Sequence, residues 1–303
     1  MSNVNIKRAV ENIRSGTNVY TPVIEMIVNG IQAIEESERE DGLVDIVVHR
    51  EEQMDLIGGL PSISGFAVVD NGVGLNQKNR DSYDELYTDH KIDQGGKGFG
   101  RFTCLKYFEK VRVESVFFED NEFTKRSFHL GKERDIISGE TVDVVSKQEV
   151  GTKIVLSDFK KVKFQDKKLE TIAKVLVESL LPYFIQKRTY FPKIVLRENN
   201  ESNAITLNDY AKSSDLIQEV AGANKEFSIS LSSREEVFEA KVFKFYSPRI
   251  SNSKISLVAH RREVTSTSIH KYIPDQPHIP EDSMILQPMN TMSYSEVMIF
   301  MGS

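Results

Sequence analysis

The chain has 303 residues, of which 28% are charged and 39% hydrophobic, and its formal net charge is −6 at pH 7. This balance is typical of a soluble globular protein and excludes a disordered chain. The length allows one large domain or two ordinary ones, and we expect two. No apolar run approaches the roughly 18 residues needed to cross a bilayer.

Targeting and cysteine chemistry are the next features of the sequence. The N-terminus lacks the apolar core of a signal peptide, so we expect a cytoplasmic protein with no membrane partner. Cys104 is the only cysteine, which excludes an internal disulfide framework and a cysteine-based zinc site. Its apolar neighbours predict a buried side chain.

The first predicted elements are one helix and two strands. Thr21-Pro22 is typical of a helix start, because Thr caps a helix and Pro suits its first position. The sequence therefore predicts a helix over 22–37. Short β-rich runs follow at 44–49 and 65–69, and Asp70-Asn71-Gly72 ends the second run in turn chemistry. We expect Asp70 to leave the end of a strand.

A short helix and a series of strands are predicted next. Residues 101–108 are expected to form the helix. The successive strands predicted after it are typical of a meander, which favours an antiparallel sheet. They span 111–117, 123–130, 141–146 and 152–156. Apolar residues at helical spacing from Leu169 to Leu180 predict another helix, which Pro182 ends or kinks. With helices on one side of the sheet, the predicted architecture is an α/β sandwich.

The polar stretch 198–203 is the best candidate boundary between two domains. Further strands are predicted at 227–231, 237–246 and 255–259, so the second domain is expected to be a smaller α+β unit. The predicted domains are therefore 1–198 and 199–303.

The first helix carries a narrow polar stripe. At about 100° per residue, its polar members fall within about 60° of one another, and apolar residues cover most of the remaining surface. The members are Glu25, Asn29, Gln32 and Glu36. Glu25 is suited to accept a proton from water, and Asn29, one turn later, to offer an oxygen to Mg²⁺. The alternative is the solvated face of an amphipathic helix.

Asp70-Asn71-Gly72-Val73-Gly74 places a carboxylate at a strand end, followed by two glycines. Glycines let the backbone approach a flat ligand closely. A buried Asp can accept a hydrogen bond from an exocyclic amine, which would select adenine over guanine. A plain turn is the alternative, because Asn-Gly is a common turn pair.

The segment Gly95-Gly96-Lys97-Gly98-Phe99-Gly100 is the third candidate motif. Its four glycines free backbone N–H groups to face an anion, with Lys97 as a mobile charge and a helix start just beyond. It is not a Walker A motif, since the order Gly-Lys-Ser/Thr is missing, and no preceding parallel strand supports a Rossmann motif. A flexible lid is the alternative, and it is compatible with phosphate binding.

In their order and spacing, these motifs resemble those of the GHKL ATPase superfamily, which includes DNA gyrase B subunits, heat-shock chaperone ATPases, sensor histidine kinases and MutL. The matching residues are Glu25 and Asn29 of the Glu-x-x-x-Asn helix, Asp70, Gly72 and Gly74 of the Asp-x-Gly-x-Gly adenine motif, Gly96, Gly98 and Gly100 of the lid, and Gly151-Thr152 of the final Gly-Thr motif. The resemblance implies an α+β fold, a Bergerat-type α/β sandwich whose mixed, mainly antiparallel sheet is covered by helices.

The resemblance also implies a role for each matching residue in binding and hydrolysing Mg-ATP. Glu25 would activate the attacking water, and Asn29 would hold Mg²⁺. Asp70 would bind the adenine amine, with support from Thr152. The other residues implied to contact ATP are Gly72, Gly74, Gly96, Lys97, Gly98, Phe99 and Gly100. The chain departs from the family at Gln32, where relatives often have Asp.

The second domain resembles a transducer domain. Residues 255–264 resemble the strand-and-Arg segment of MutL-like and MORC-like proteins, and 294–301 resembles a later transducer strand. The resemblance implies that this domain relays the nucleotide state to a dimer partner, and that the chain is an ATPase fragment of a longer protein. Mg-ATP would close the lid and promote homodimerisation.

Two other functions stay open at this point. One is a nucleotide-sensing switch with negligible hydrolysis that controls a C-terminal effector. The other is an ATP-gated nucleic-acid clamp, for which the net charge excludes a uniformly basic coat but not a local basic patch. The candidate patch residues are Lys160, Lys161, Lys163, Lys167, Lys168, Lys187, Arg188, Arg261 and Arg262. A nucleic acid or a protein client is therefore a possible further partner.

Overall fold

The computed structural model describes residues 18–52, 60–84, 100–131, 136–160, 164, 166–185, 189–199, 203–213, 217–220, 222, 225–231, 234–245, 254–259, 262–268 and 295–302. The chain divides into two compact units. The first comprises Met1–Ile92, Gly96–Ser179 and Lys187–Asn208, and the second Asp93–Gly95, Leu180–Gln186 and Asp209–Ser303. Each unit contains its own sheet.

Helix α1 spans Tyr20–Ser37 and begins two residues earlier than predicted. Asn18, rather than Thr21, supplies the capping oxygen, because its Oδ1 accepts the N–H groups of Tyr20 at 2.9 Å and of Thr21 at 3.2 Å. The Thr21 hydroxyl oxygen in turn accepts the backbone N–H of Asn18 at 3.0 Å. The two side chains thus cap each other's backbone, as in a capping box.

Eight strands form the sheet of the first unit. They are β1 Leu43–Arg50, β2 Ile63–Asp70, β3 Phe108–Glu119, β4 Glu122–Leu130, β5 Ile137–Val145, β6 Gly151–Phe159, β7 Lys193–Glu198 and β8 Ile205–Thr206. Their spatial order is β5-β4-β3-β6-β2-β1-β7-β8. Neighbours run antiparallel except β1 and β7, which are parallel. The predicted α+β class with a mixed, mainly antiparallel sheet is confirmed.

Strands β7 and β8 are additions to the predicted elements. β7 pairs in parallel with β1, and the side chain of Arg197 holds Asp45 of β1 through two N–H donors, at 2.7 to 3.0 Å. β8 pairs with β7 at Val195 and Leu196. The sheet of the first unit therefore extends past residue 198, where the polar stretch begins.

The remaining helices are short. They are α2 Gln77–Asp84, α3 Cys104–Tyr107, α4 Leu169–Ser179, α5 Leu181–Ile185 and α6 Leu207–Lys212. The helix expected at 101–108 is a 3-10 turn, Gly100–Thr103, followed by α3. Pro182 lies in α5, after α4 has ended. Among the described residues, no helix combines the length and the apolar character needed to span a membrane.

The core of the first unit lies between its sheet and the apolar face of α1. Val23, Ile27, Ile31 and Ile34 of α1 are fully buried, and each such side chain stabilises the fold by about 1.5–3 kcal/mol. Cys104 is buried as predicted, and burial raises the pKa of its thiol to about 12. This thiol is therefore a packing group rather than a reactive one.

The second unit contains a six-stranded sheet. Its strands are β9 Ile217–Glu219, β10 Lys225–Leu231, β11 Arg234–Phe245, β12 Lys254–Ala259, β13 Arg262–Ser268 and β14 Ser295–Gly302. The order is β10-β11-β14-β12-β13, and β9 also pairs with β11. β14 runs antiparallel to β11 and parallel to β12, so the last strand in the chain lies inside the sheet.

Candidate functional site

A row of polar side chains crosses four neighbouring strands of the first sheet. Asp70 of β2 is paired with Thr152 of β6, Thr152 with Ser115 of β3, and Ser115 with Arg126 of β4. Residues directly opposite each other in register lie on the same face of a sheet. Thr152, Ser115 and Arg126 are only 8%, 2% and 4% exposed. We call these four residues the polar row.

Asp70 is the last residue of β2, as the sequence predicts. Its Oδ1 accepts the N–H of Gly72 at 2.9 Å, and the backbone N–H of Thr152 donates a second hydrogen bond. Part of Asp70 still touches solvent, but protein atoms surround its carboxylate. Burial therefore raises the pKa of Asp70 to about 7, and the two hydrogen bonds only partly oppose this shift.

Helix α1 lies directly against the residues that follow β2. A Cβ on Gly30 would lie 3.1 Å from the Cβ of Asp70, and a Cβ on Gly72 would lie 2.5 Å from the carbonyl carbon of Ala33. The Val73 N–H also donates to the carbonyl oxygen of Ala33 at 3.2 Å. Gly72 therefore has a packing reason to lack a side chain, because a larger residue would push α1 away from the strand end.

The polar stripe of α1 runs beside this contact. Asn29 precedes Gly30 and lies about one turn before Ala33, and Glu25 lies one turn further back. Glu25, Asn29 and Gln32 are half-buried, whereas Glu36 is exposed. Gln32 Oε1 is buried and accepts no hydrogen bond from the described residues. Three of the four stripe residues are thus shielded more than a fully solvated helix face would be.

Two further glycines of the predicted motifs allow close backbone contacts. Gly151 has φ 154°, and a Cβ there would collide with the carbonyl oxygen of Asp70. Gly74 has φ 74°, and a Cβ there would collide with the carbonyl oxygen of Val116. Gly151 thus brings Thr152 next to Asp70. Contact of Gly72 and Gly74 with a ligand stays a prediction.

Ser115 connects the two motifs. Its Oγ accepts the backbone N–H of Leu75 at 2.8 Å, just after the Asp-Gly segment, and donates to the carbonyl oxygen of Gly151 at 2.8 Å. It also lies 3.1 Å from the hydroxyl oxygen of Thr152. A single buried hydroxyl therefore holds the end of the segment Asp70–Gly74 against Gly151-Thr152.

Arg126 holds the loop after Gly74 from the other end of the row. Its guanidinium donates to the carbonyl oxygens of Leu75 at 3.2 Å and Asn76 at 3.3 Å, and to Oε1 of Gln77 at 2.8 Å. Burial lowers the pKa of Arg126, partly offset by the nearby Glu140 carboxylate. These contacts set the path of the chain into helix α2.

Asn71 is a structural residue inside the predicted motif. Its Oδ1 accepts the N–H of Leu43 at 2.8 Å, and its Nδ2 donates to the carbonyl oxygen of Asp41 at 3.0 Å. Arg39 donates to the Asn71 carbonyl oxygen at 2.8 Å. The loop after Asp70 is therefore tied to the start of β1, a role beyond the turn chemistry of an Asn-Gly pair.

Ser115 and Arg126 were missed in the sequence, and Asn71 was interpreted there only as a turn residue. For Ser115, β3 carries a usable signal. The buried positions of β3 alternate as Val111, Val113, Ser115 and Phe117, so Ser115 is a polar residue among apolar ones. A buried polar group requires a hydrogen-bond partner. That signal identifies Ser115 as an unusual position, but it does not identify its partners.

The glycine-rich segment and most of the basic residues fall outside the described part of the chain. Gly96, Lys97, Gly98 and Phe99 lie there, and Gly100 begins the 3-10 turn. Five of the basic residues also lie there: Lys161, Lys163, Lys187, Arg188 and Arg261. Lys160 is largely buried, and its Nζ donates to the carbonyl oxygen of Leu105 at 2.8 Å, so this lysine is a structural residue rather than part of a free basic surface.

Comparison with known proteins shows a fold likeness. No family model matches the chain, and no curated protein matches it in sequence. The ATPase region of Saccharomyces cerevisiae topoisomerase II, bound to dexrazoxane, has a TM-score of 0.51 and 12% identity, over 99% of this chain and 85% of that one. At this identity the likeness shows the fold alone, a mixed, mainly antiparallel sheet with helices.

Two other solved structures give lower scores. Another structure of the yeast topoisomerase II ATPase region has a TM-score of 0.47 and 13% identity, over 91% of this chain and 71% of that one. The N-terminal domain of a DNA repair protein has a TM-score of 0.48 and 13% identity, over 86% and 78%.

Proposed function

We propose that this chain is a GHKL-type ATPase module that binds Mg-ATP at the Asp70 end of β2 and hydrolyses it slowly. One observation carries the proposal. Asp70 and Thr152, from motifs far apart in the sequence, meet at one strand end, against the helix that bears Glu25 and Asn29. The fold likeness to the topoisomerase II ATPase region supports the same conclusion.

Asp70 is the proposed adenine-binding residue. A carboxylate only accepts hydrogen bonds, so it suits an exocyclic amine and disfavours the carbonyl of guanine. The N–H groups of Gly72 and Thr152 stabilise the ionised form, although burial raises the pKa to about 7. An amine donor would favour the ionised form further.

The donor set on α1 fits Mg²⁺ that is shared with phosphates. No group of three His, Cys, Asp or Glu side chains in the described residues is placed to hold a metal ion alone. Mg²⁺ commonly uses one or two protein oxygens and completes its shell with phosphates and water. We assign the Asn29 carboxamide as the protein ligand and Glu25, one turn earlier, as the base that takes a proton from water. When bound, the ion offsets negative charge on the phosphates.

The remaining parts of the proposal concern closure and partners. The segment containing Gly96, Lys97, Gly98, Phe99 and Gly100 would bind the phosphates, and its closure would promote homodimerisation. The ATP-binding domain, predicted over residues 1–198, would also include β8, and the rest of the predicted 199–303 would form a MutL-like or MORC-like transducer that relays the nucleotide state. The motif resemblance supports both statements.

Calorimetry with Mg-ATP, combined with turnover on the same samples, tests the proposal. Asp70→Asn should lose ATP binding, because it replaces an acceptor by a group that also donates. Glu25→Ala should keep binding and lose turnover, because it removes the proposed base. Glu36→Ala is the matched control, since Glu36 lies on the same helix but is exposed, and it should keep both properties.

The outcomes separate the candidate functions. No ATP binding by the wild type would show that the proposed function is wrong, and unchanged turnover in Glu25→Ala would show that the base is wrongly assigned. Binding and ATP-dependent dimerisation without measurable turnover would favour the nucleotide-sensing switch. DNA binding with a steep salt dependence would favour the clamp.

A further inference from the structure

The hydrogen-bond partners of the Ser115 hydroxyl fix the direction of its proton. A backbone N–H can only donate and a carbonyl oxygen can only accept, so Ser115 Oγ must accept from Leu75 and give its single proton to Gly151. One lone pair remains on Ser115 Oγ. The 3.1 Å contact with Thr152 Oγ1 therefore requires the Thr152 hydroxyl to be the donor.

This orientation decides what Thr152 can offer to a ligand. A hydroxyl has one proton and two lone pairs, and the proton of Thr152 is already directed at Ser115. Towards any other group, Thr152 Oγ1 is an acceptor only. Because Thr152 is paired with Asp70 across the two strands, the strand end presents two acceptors side by side when Asp70 is ionised.

We infer that Ser115 is a specificity-determining positioning residue, which holds the Thr152 hydroxyl as an acceptor so that this strand end selects a purine with an amine at C6, as in adenine, over one with a carbonyl there, as in guanine. Ser115 itself is almost fully buried and acts through Thr152. The inference rests on the proposed function and deepens it, because it assigns base selection to a residue outside the predicted motifs.

Removing the Ser115 hydroxyl should change base selection and not only stability. In Ser115→Ala, the Thr152 hydroxyl loses its acceptor and is free to rotate and donate to a carbonyl such as O6 of guanine. The ratio of ATP affinity to GTP affinity should fall by about threefold to tenfold, the value of one ordinary hydrogen bond. A purely structural role would weaken ATP and GTP binding by the same factor, so the ratio is the informative measurement.

Titration calorimetry with ATP and GTP measures this ratio. Purine riboside triphosphate, which lacks the 6-amine, is titrated as a third nucleotide. Ser115→Thr retains a hydroxyl and should keep the wild-type ratio. Ser127→Ala is the matched control, because the Ser127 hydroxyl also pairs with a threonine across two strands, Thr141 at 2.8 Å, but on the exposed surface. If Ser115→Ala does not fold, Ser115→Cys, with a weaker donor and acceptor, should lower the ratio to a smaller extent.

The results test the role of Ser115 separately from the proposed function. A lower ATP:GTP ratio in Ser115→Ala, with an unchanged ratio in Ser115→Thr and Ser127→Ala, supports the role of Ser115. Equal weakening of ATP and GTP, or an unchanged ratio in the folded alanine or cysteine variant, overturns it and leaves the proposed function intact. If the wild type binds none of the three nucleotides, both proposals are wrong.

Discussion

The polar row and the row next to it lie on the same four strands, but they have opposite chemistry. On the same face, two residues before the polar row on β2 and β3 and two residues after it on β6 and β4, the paired residues are all apolar: Val68, Val113, Ile154 and Phe128. All four are at most 6% exposed, so this apolar row is buried as deeply as most of the polar row. The two rows therefore have similar burial but different roles in the same sheet.

In this sheet, apolar residues supply stability and polar residues fix the geometry. An apolar contact is non-directional and contributes in proportion to the area removed from water. A buried hydrogen bond adds only about 0.5–1.5 kcal/mol net, but it requires a particular partner and orientation. The polar row therefore determines where the loop after Gly74 runs, while the apolar row holds the strands and helices together.

Truncating a side chain of the apolar row should cost the most stability. Phe128→Ala should destabilise the protein by about 3–5 kcal/mol, because it leaves a cavity in the core. Urea unfolding measures the loss. Phe118→Ala on the neighbouring strand is the control, since Phe118 is exposed, and its cost should be much smaller. Equal costs for the two variants would contradict the assignment of this row as the core.

A smaller loss is expected at the far end of the polar row. Arg126→Gln should destabilise the protein by about 1–3 kcal/mol, because the buried carbonyl oxygen of Leu75 loses its donor. The Asn76 carbonyl oxygen also loses Arg126 but keeps the N–H of Arg80 at 2.9 Å. The substitution should also weaken ATP binding, since the loop after Gly74 loses its support. Urea unfolding measures the stability and calorimetry measures ATP binding. The control is Arg112→Gln, at an exposed ion pair with Glu114, and it should change both properties little. Binding unaffected by Arg126→Gln would separate Arg126 from the site.

Asp70 should make the stability of the polar row depend on pH. Its pKa is raised from 3.8 to about 7 by burial, so between these values the folded state keeps a proton that the unfolded state has lost. Wild-type stability should therefore fall as the pH rises from about 4 to about 7 and then level off. Asp70→Asn should lack this fall and be the more stable protein above about pH 7.

Thermal unfolding at a series of pH values, without nucleotide, measures this difference between Asp70→Asn and the wild type. Asp143→Asn, at an exposed position of β5, should follow the wild-type curve. Parallel curves for wild type and Asp70→Asn across the range would show that the carboxylate is not perturbed by burial.

The smallest effect is expected where the polar row reaches solvent. Val142 of β5 is paired with Arg126 and thus continues the same row, but it is 52% exposed. Val142→Thr should change the stability by no more than about 0.5 kcal/mol, as surface substitutions usually do. Chemical unfolding of this variant checks whether burial, rather than membership of the row, decides the energetic cost. A cost as large as that of Arg126→Gln would contradict this view.

Much of the fold could be predicted from local patterns. Helical spacing predicted α1 and α4, and alternation and turn residues predicted β1 to β6, with Asp70 at a strand end. β7 was missed, although Ile194-Val195-Leu196 after Pro192 is a short β-rich run. Its parallel pairing with the distant β1 is a tertiary property that local patterns do not give. The motifs also predicted that Thr152 supports Asp70, and the two residues are paired across β2 and β6. Their ligand contacts, and the site as a whole, stay predictions.

Local patterns in the sequence were enough for α1, α4, β1 to β6 and the fold class, because the periods of helices and strands are local properties of the chain. The alignment of Asp70, Thr152, Ser115 and Arg126 in one row comes instead from the pairing of four strands in the folded protein. Alternation shows which face of a strand is buried, but it does not show which residue of another strand lies opposite, since register depends on pairing between distant segments. The hydrogen bonds of Ser115 follow from that register, and so they became visible only in the folded protein.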